Sequence, residues 1–135
     1  MTIKLIRSDS LYTGAPYAYA AIAPPGALIF TAGACPLDKQ GKVVAPGDLI
    51  AQTRQTLANL RIALEDSGAA IEDVVKTTVY VASSDRGELA AAFDEVAAFF
   101  GDHDVPSTLL GVAVLGYAGQ LVEIEAIAVQ PSPAR

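Results

Sequence analysis

The stretch Gln120–Val129, which reads QLVEIEAIAV, contains the pattern on which the rest of the fold depends. Side chains of a β-strand alternate between its two faces. Glu123 and Glu125 therefore share one face, and the opposite face is apolar, consisting of Val122, Ile124, Ala126 and Ala128. The apolar face predicts packing against a core. Buried carboxylates are costly unless they are paired or hydrogen-bonded. Two carboxylates on one face of so apolar a strand therefore raise a question of function.

Length and composition predict one globular domain that spans residues 1–135. Hydrophobic residues make up 52% of the chain and charged residues 18%, which favours a packed core over disorder. The formal net charge is −6, and the nine lysines and arginines are spread without a cluster. Proteins that bind a phosphate backbone usually present a basic face, so we expect no nucleic-acid partner.

The sequence also indicates a compartment. Cys35 is the one cysteine, so no disulfide can form within the chain, which is consistent with a reducing environment. The first ten residues show neither a long apolar run nor a small-residue cleavage site. No segment approaches the roughly 20 consecutive apolar residues that span a bilayer. We therefore expect a soluble, cytoplasmic protein without a membrane partner.

Hydrophobic periodicity divides the chain into eight elements. Predicted strands cover residues 3–6, 17–22, 28–33, 74–81, 108–115 and 121–129, and predicted helices cover residues 48–67 and 86–100. The order β-β-β-α-β-α-β-β predicts an α+β fold, with one mixed sheet and both helices on one of its faces. The turn Pro24-Pro25-Gly26 favours a hairpin between the second and third strands.

The second face of this sheet is predicted to be uncovered. It holds Glu123 and Glu125 together with Lys76, Thr78 and Tyr80 of the strand at 74–81, which share their face with Val74. Apolar residues lie among them, and the mean hydropathy of +0.38 is high for so short a chain. An exposed face of this composition is typical of an interface, so we expect an oligomer.

No motif for a metal or a cofactor is present. The chain has one histidine and one cysteine, far apart, and the carboxylates show no ligand spacing. Neither G-x-x-x-x-G-K nor G-x-G-x-x-G occurs. Cys35, in the segment AGACP, has no cation nearby to activate it, so it is interpreted as a small buried hydrophobic residue.

The two acids have different expected roles. Glu125 is expected to form a salt bridge, either with Lys76 on the neighbouring strand or with another subunit. Glu123 lies deeper in the apolar run and has no evident partner. A carboxylate in such a place is a candidate general base, and a structural ion pair remains the alternative.

Five segments in order resemble the Rid family of reactive intermediate deaminases, also called the YjgF/YER057c/UK114 family. They are Gly14-Ala15-Pro16-Tyr17, similar to its GPY segment; residues 30–36, FTAGACP, similar to its TSGQIP segment; residues 52–60, QTRQTLANL, similar to its first-helix pattern; residues 74–81, VVKTTVYV; and residues 122–128, VEIEAIA. The resemblance covers about residues 14–129, nearly the whole chain.

The resemblance implies a chorismate-mutase-like α+β domain that assembles as a homotrimer with clefts between subunits. Members of the family hydrolyse 2-imino and 2-enamino acids to 2-keto acids and ammonia without a cofactor. Glu123 matches the glutamate that positions or activates water. Tyr17 matches the tyrosine that lines the pocket.

One departure from the family changes the expected substrate. The family has P-A-R-S-C where this chain has Pro106-Ser107-Thr108-Leu109-Leu110, so Thr108 takes the place of the arginine that grips the substrate carboxylate. A hydroxyl replaces neither the charge nor the bidentate geometry of a guanidinium, and losing one partner of a buried ion pair costs about 3–5 kcal/mol. We therefore expect a poor general 2-imino-acid deaminase whose ligand is neutral or cationic.

Two hypotheses follow for function. In the first, the chain is an imine or enamine hydrolase in which Glu123 orients water, Tyr17 and Thr108 position the substrate, and backbone amides near Gly33 and Ala34 hold a developing oxyanion. Tyr117 either rims the cleft or is an ordinary exposed turn residue. In the second, the same trimer binds a metabolite without turnover. Ribonuclease activity is a third, which the acidic charge disfavours.

Overall fold

The computed structural model describes residues 2–131 of the chain. The strands are Lys4–Ile6 (β1), Ala20–Ile22 (β2), Leu28–Phe30 (β3), Val74–Val81 (β4), Ser107–Gly111 (β5) and Val122–Val129 (β6), and the helices are Leu49–Asp66 (α1) and Arg86–Phe100 (α2). A 3₁₀ turn, Ile71–Asp73, precedes β4. The predicted element order and the α+β class are confirmed.

The main sheet has four strands in the order β3-β6-β4-β5. β6 is antiparallel to both of its neighbours, and β4 and β5 are parallel, so the sheet is mixed as predicted. The predicted hairpin between the second and third strands is wrong. β2 pairs with β1 in a separate two-stranded ribbon, and β3 pairs with β6 instead. Residues 23–27 carry two prolines, which lack the N–H of a ladder residue, and they take the chain from the ribbon to the sheet.

Both helices pack on one face of the sheet. Asp48 caps the N-terminus of α1, where its side chain accepts a hydrogen bond from the Ala51 N–H at 3.0 Å. The helix ends before Gly68, which adopts a φ of +82°. The shared core contains the following buried residues of α1, α2, β4 and β6: Leu57, Leu60, Leu64, Val79, Val81, Ala92, Val96, Val122, Ile124, Ala126 and Ala128. The apolar face of the 122–129 stretch is therefore the covered one.

A β-bulge alters the alternation at the start of β4. Val74 pairs with Ala128 and Lys76 with Ile127, so the register shifts between Val74 and Lys76. The expectation that Val74 shares a face with Lys76 is wrong, because the extra residue turns Val74 into the core, where it is fully buried. From Lys76 onward the alternation follows the predicted pattern.

The opposite face of the sheet is open within one chain. Lys76, Thr78, Tyr80, Glu123 and Glu125 are all half-buried on this face. Phe30 of β3 is 67% exposed and stands opposite Ile127. The two helices that could cover a sheet face are on the other side. In the part of the chain that the structure describes, neither helix is long and apolar enough to cross a membrane.

Candidate active site

The Glu123 carboxylate lies in a compact polar cluster at the β3–β6 side of the open face. Its Oε1 accepts hydrogen bonds from the Cys35 Sγ at 3.2 Å and from the Gln120 Nε2 at 3.1 Å. Its Oε2 lies against the backbone of Gly33, where an added Cβ would stand only 2.2 Å away. The carboxylate is thus held through one oxygen and lies directly on a glycine.

Cys35 is a hydrogen-bond donor in this cluster. Burial, the hydrogen bond to Glu123 and the negative charge of Glu123 together raise the pKa of the thiol to about 11. The thiol therefore keeps its proton at neutral pH. Two acceptors lie within reach of that proton, Glu123 Oε1 at 3.2 Å and the Gly33 carbonyl at 3.4 Å, and the nearer one carries the negative charge. The interpretation of Cys35 as a merely hydrophobic buried residue is wrong, because the side chain is half-buried and makes a polar contact.

Gln120 connects the cluster to the turn that precedes β6. Its Nε2 also donates to the Val122 carbonyl at 3.0 Å, and its Oε1 accepts from the Tyr117 N–H at 3.1 Å. The side chain is buried, at 3% exposure. Tyr117 is therefore tied to the cluster through its backbone, while its ring remains half exposed.

Two amide side chains of α1 hold the loops that carry these donors. Asn59 donates to the carbonyls of Cys35 and Leu37 at 2.8 and 2.9 Å. Gln52, which is fully buried, donates to the Gly119 carbonyl at 3.1 Å and accepts from the Leu121 N–H at 2.9 Å. Seven residues separate the two amides, so both lie on the same side of the helix. Helix α1 therefore braces both loops beside Glu123.

The expected oxyanion site is not supported at Ala34. The Ala34 N–H donates to the Ile124 carbonyl at 2.7 Å, and the Ile124 N–H returns a bond to the Ala34 carbonyl at 3.1 Å. This pair extends the β3–β6 ladder, so the amide is already engaged. Gly33 lies in the cluster for a different reason, which is the close approach of the Glu123 side chain to its backbone.

Tyr17 and Thr108 lie in a second region, a groove of about 540 Å³ along the edge strand β5. The Tyr17 ring packs edge-on against Phe93 of α2, with the ring centroids 6.3 Å apart. Arg7 donates to the Tyr17 carbonyl at 3.2 Å, which ties this segment to the β1–β2 ribbon. Asp94 also lines the groove, and it is the one charged residue in the lining.

Lys76 and Glu125 do not pair with each other as expected. The Lys76 Nζ donates to the Thr108 Oγ1 at 2.7 Å, and Glu125 accepts from the Tyr80 hydroxyl at 2.8 Å. That hydrogen bond raises the pKa of Tyr80. The region around Thr108 therefore carries positive charge, because the ammonium of Lys76 reaches the Thr108 hydroxyl.

Within one chain the two regions are separate. Glu123 stands opposite Tyr80 on β4, whereas Thr108 pairs with Thr78 on the far side of β4. Glu123 and Thr108 are therefore two strands apart in the sheet and offset by two residues along the strands. This places their Cα atoms on the order of 12 Å apart. The structure brings Glu123 together with Gly33 and the backbone of Tyr117, and it brings Tyr17 together with Thr108.

Sequence reasoning did not predict the roles of two residues that bond Glu123, Cys35 and Gln120, or of the two that brace their loops, Gln52 and Asn59. A signal for two of them was present, because Gln52 and Asn59 are amides spaced by seven residues on the apolar side of a helix, where a polar side chain needs a partner. Cys35 and Gln120 gave no such signal. Among residues 2–131, no three histidine, cysteine or acidic side chains form a group that could hold a metal ion.

The chain is an α+β domain in which two helices cover one face of a mixed sheet and two acidic side chains of β6 lie on the other face. Solved structures of this class are known. A solved Rid-family protein of unknown function from Yersinia pestis superposes with a TM-score of 0.89 at 32% identity, covering 96% of this chain and 99% of that one. The sequence model of the Endoribonuclease L-PSP family matches residues 8–130.

Curated relatives agree with the structural neighbour. A RutC family protein of Pyrococcus horikoshii is 36% identical over 113 residues, which are 84% of this chain and 86% of that protein. The 2-iminobutanoate/2-iminopropanoate deaminase of Escherichia coli K12 is 38% identical over 109 residues, which are 78% of this chain and 81% of that enzyme. The chain belongs to the Endoribonuclease L-PSP family, the family of the Rid proteins.

Proposed function

We propose that this protein hydrolyses the C=N bond of a small imine, or of the imine tautomer of an enamine. The observation that carries the proposal is the Glu123 carboxylate, half-buried and fixed through Oε1 by two donors while Oε2 lies over Gly33. A fixed carboxylate can orient a water molecule and accept its proton. Relatives named as 2-iminobutanoate/2-iminopropanoate deaminases support this class of reaction.

The reaction needs one base and no cofactor. Glu123 accepts a proton from water as the water oxygen bonds to the imine carbon, and passes that proton to the imine nitrogen to give a carbinolamine. Glu123 then accepts the proton of the carbinolamine hydroxyl and passes it to the nitrogen, so the C–N bond breaks and ammonia leaves as the carbonyl forms. One water is consumed, and one carbonyl compound and one ammonia are produced.

The charges around Thr108 suggest the substrate class. Lys76 offers a single ammonium, already bonded to the Thr108 hydroxyl, and it lacks the two-pronged geometry with which a guanidinium binds a carboxylate. Asp94 adds a negative charge to the groove that Tyr17 and Thr108 line. We therefore propose that the protein is not an efficient general 2-imino-acid deaminase and that it favours neutral or cationic imines.

The proposed active form is a homotrimer. Phe30 is 67% exposed and Leu28 54% exposed at the edge strand of the main sheet, and Leu110 is 43% exposed at the other edge. Apolar side chains on an open sheet face favour a second copy of the same chain. In a closed trimer, the β5 groove of one subunit would meet the Glu123 cluster of the next, which would unite the two separate regions in one cleft.

The assembly is tested by measuring mass in solution. Light scattering after size exclusion should give three times the 13.9 kDa chain mass for the natural protein. Phe30→Asp, which introduces a charge on the open face, should give the monomer mass with unchanged far-ultraviolet circular dichroism. A natural protein that elutes as a folded monomer would contradict the intersubunit cleft.

The function is tested with imines generated in situ. An amino-acid oxidase produces imines from a panel of neutral, acidic and basic amino acids, and semicarbazide trapping is followed with and without the protein. Every member of this panel carries a carboxylate, so we expect only a modest acceleration of imine loss, larger for members with neutral and basic side chains than for acidic ones, and no acceleration with Glu123→Gln. An unchanged rate in that variant would remove Glu123 from the mechanism.

Loss of turnover must be separated from loss of binding. If the protein binds a metabolite without converting it, no member of the panel will disappear faster, while a substrate analogue will still stabilise both the natural protein and Glu123→Gln against heat. Ribonuclease activity would show as RNA binding that weakens steeply with salt. The net charge of −6 leads us to expect no such binding.

A further inference from the structure

We propose that Cys35 and Gln120 are positioning residues that fix Glu123 by Oε1, and that Oε2 is the oxygen that receives the proton of water. The inference rests on the proposed hydrolase function and specifies how that site works. The two oxygens of the Glu123 carboxylate differ in their surroundings. Among the described residues, both donors to this carboxylate bond Oε1, whereas Oε2 lies against Gly33.

The two donors occupy the hydrogen-bonding capacity of Oε1. A carboxylate oxygen offers two lone-pair directions, and the Cys35 thiol and the Gln120 amide supply two donors at 3.2 and 3.1 Å. A proton arriving at Oε1 would have to displace one of these donors. Oε2 keeps its lone pairs, and the glycine beneath it places no side chain in the way.

Both donors are anchored away from the cleft. Gln120 is buried and uses its other amide atom to accept from the Tyr117 N–H. The backbone of Cys35 is held by Asn59, and the turn before Gln120 is held by Gln52. Because both braces come from helix α1, the carboxylate is positioned by the core of the domain rather than by mobile loops.

The same geometry assigns Cys35 a role other than nucleophile. Its thiol faces a carboxylate, and burial together with that charge keeps it protonated, which is the opposite of the electropositive setting that makes a thiolate. A serine at this position would still donate to Oε1, whereas an alanine would not. The two substitutions therefore separate a donor from a nucleophile.

The kinetic test compares Cys35→Ser with Cys35→Ala in the imine-trapping assay. We expect Cys35→Ser to retain kcat within about threefold. We expect Cys35→Ala to lose roughly tenfold or more in kcat with little change in KM, because a displaced catalytic group lowers the rate of the chemical step. Equal kcat in Cys35→Ala and the natural protein would overturn the inference, and complete loss in Cys35→Ser would make Cys35 a nucleophile.

A second measurement does not depend on turnover. Cys35 is the one cysteine, so the rate of iodoacetamide labelling against pH reports the ionisation of this thiol alone. The midpoint should lie near 11 in the natural protein and fall partway in Glu123→Gln, which removes the carboxylate charge but not the burial that is the largest cause of the raised pKa. An unchanged midpoint would show that the two side chains do not interact, and the inference would fail.

The two experiments separate this inference from the function on which it rests. A shifted labelling midpoint with no turnover of any imine would leave the Cys35–Glu123 contact in place and refute both the hydrolase function and the role of Oε2. Turnover with an unshifted midpoint would keep the hydrolase function and refute the positioning by Cys35.

Discussion

Replacing Gly33 by alanine should displace the Glu123 carboxylate without disturbing the fold. The added Cβ would stand 2.2 Å from Oε2, 2.5 Å from Cδ and 2.7 Å from Cγ of Glu123, whereas ordinary contact begins at 3.4 Å. The clash involves three consecutive atoms, so rotation of the carboxylate alone cannot relieve it. Because Gly33 is not among the residues with positive φ, the alanine backbone itself is unstrained.

The size of the expected effect follows from the size of this movement. Oε2 must retreat by roughly 1 Å, and a misplacement of that size in a catalytic group costs on the order of a hundredfold in rate. The hydrogen bonds to Oε1, now 3.1 and 3.2 Å, would lengthen beyond the useful range of about 3.5 Å. We expect a loss of stability of about 1 kcal/mol, since water can partly replace these donors.

The assay for Gly33→Ala is imine trapping combined with iodoacetamide labelling and urea denaturation. Gly116→Ala is the matched control, because nothing lies within 4 Å of its added Cβ and its φ is also not positive. The control should keep its activity and gain up to about 1 kcal/mol of stability from the stiffer unfolded chain. Activity in Gly33→Ala within threefold of the control, with unchanged labelling of Cys35, would refute the reasoning.

Three further predictions concern the substrate, the braces and the thiol. Thr108→Arg should raise kcat/KM for 2-imino acids at least tenfold, and Thr108→Lys should not, because only the guanidinium forms a bidentate pair; equal effects would show that charge alone matters. Gln52→Leu should destabilise the protein by about 2–4 kcal/mol in urea, because it leaves buried backbone groups unpaired; a change under 0.5 kcal/mol would contradict the bracing role. Folding raises the pKa of the Cys35 thiol to about 11, so its contribution to the free energy of unfolding is complete below pH 9 and is lost between pH 9 and 11. When unfolding is measured against pH, Cys35→Ser should not show this loss. Identical profiles for the two proteins would contradict the raised pKa of the thiol.

Several features of the fold were predictable because they depend on the local geometry of the backbone. The alternation in residues 122–129 specified which face of β6 is buried, and the caps specified where both helices end. The chain from 86 to 100 is helical over the predicted range, and the strand from 74 to 81 has the predicted bounds. The α+β class followed from the order of these elements.

The pairing of the short strands was not predictable in the same way. β2 and β3 have three residues each, and nothing in such short segments specifies a partner. The Pro-Pro-Gly turn favoured a hairpin on local grounds, yet β3 pairs with the long strand β6 and extends its ladder. The bulge at Val74 likewise depends on its pairing partner, because a register shift exists only relative to a neighbouring strand.

The candidate site was likewise predictable only in part from the sequence. The sequence by itself determined that Glu123 lies on a sheet face away from the core, because alternation within one strand requires it. Only the tertiary structure decided that Cys35, 88 residues away in sequence, donates to that carboxylate, and that Lys76 reaches Thr108 rather than Glu125. Such contacts depend on the order in which strands pair and on which loops a helix holds. A periodic pattern records how each segment faces the core, whereas the neighbours of a side chain are fixed only when the segments pack together.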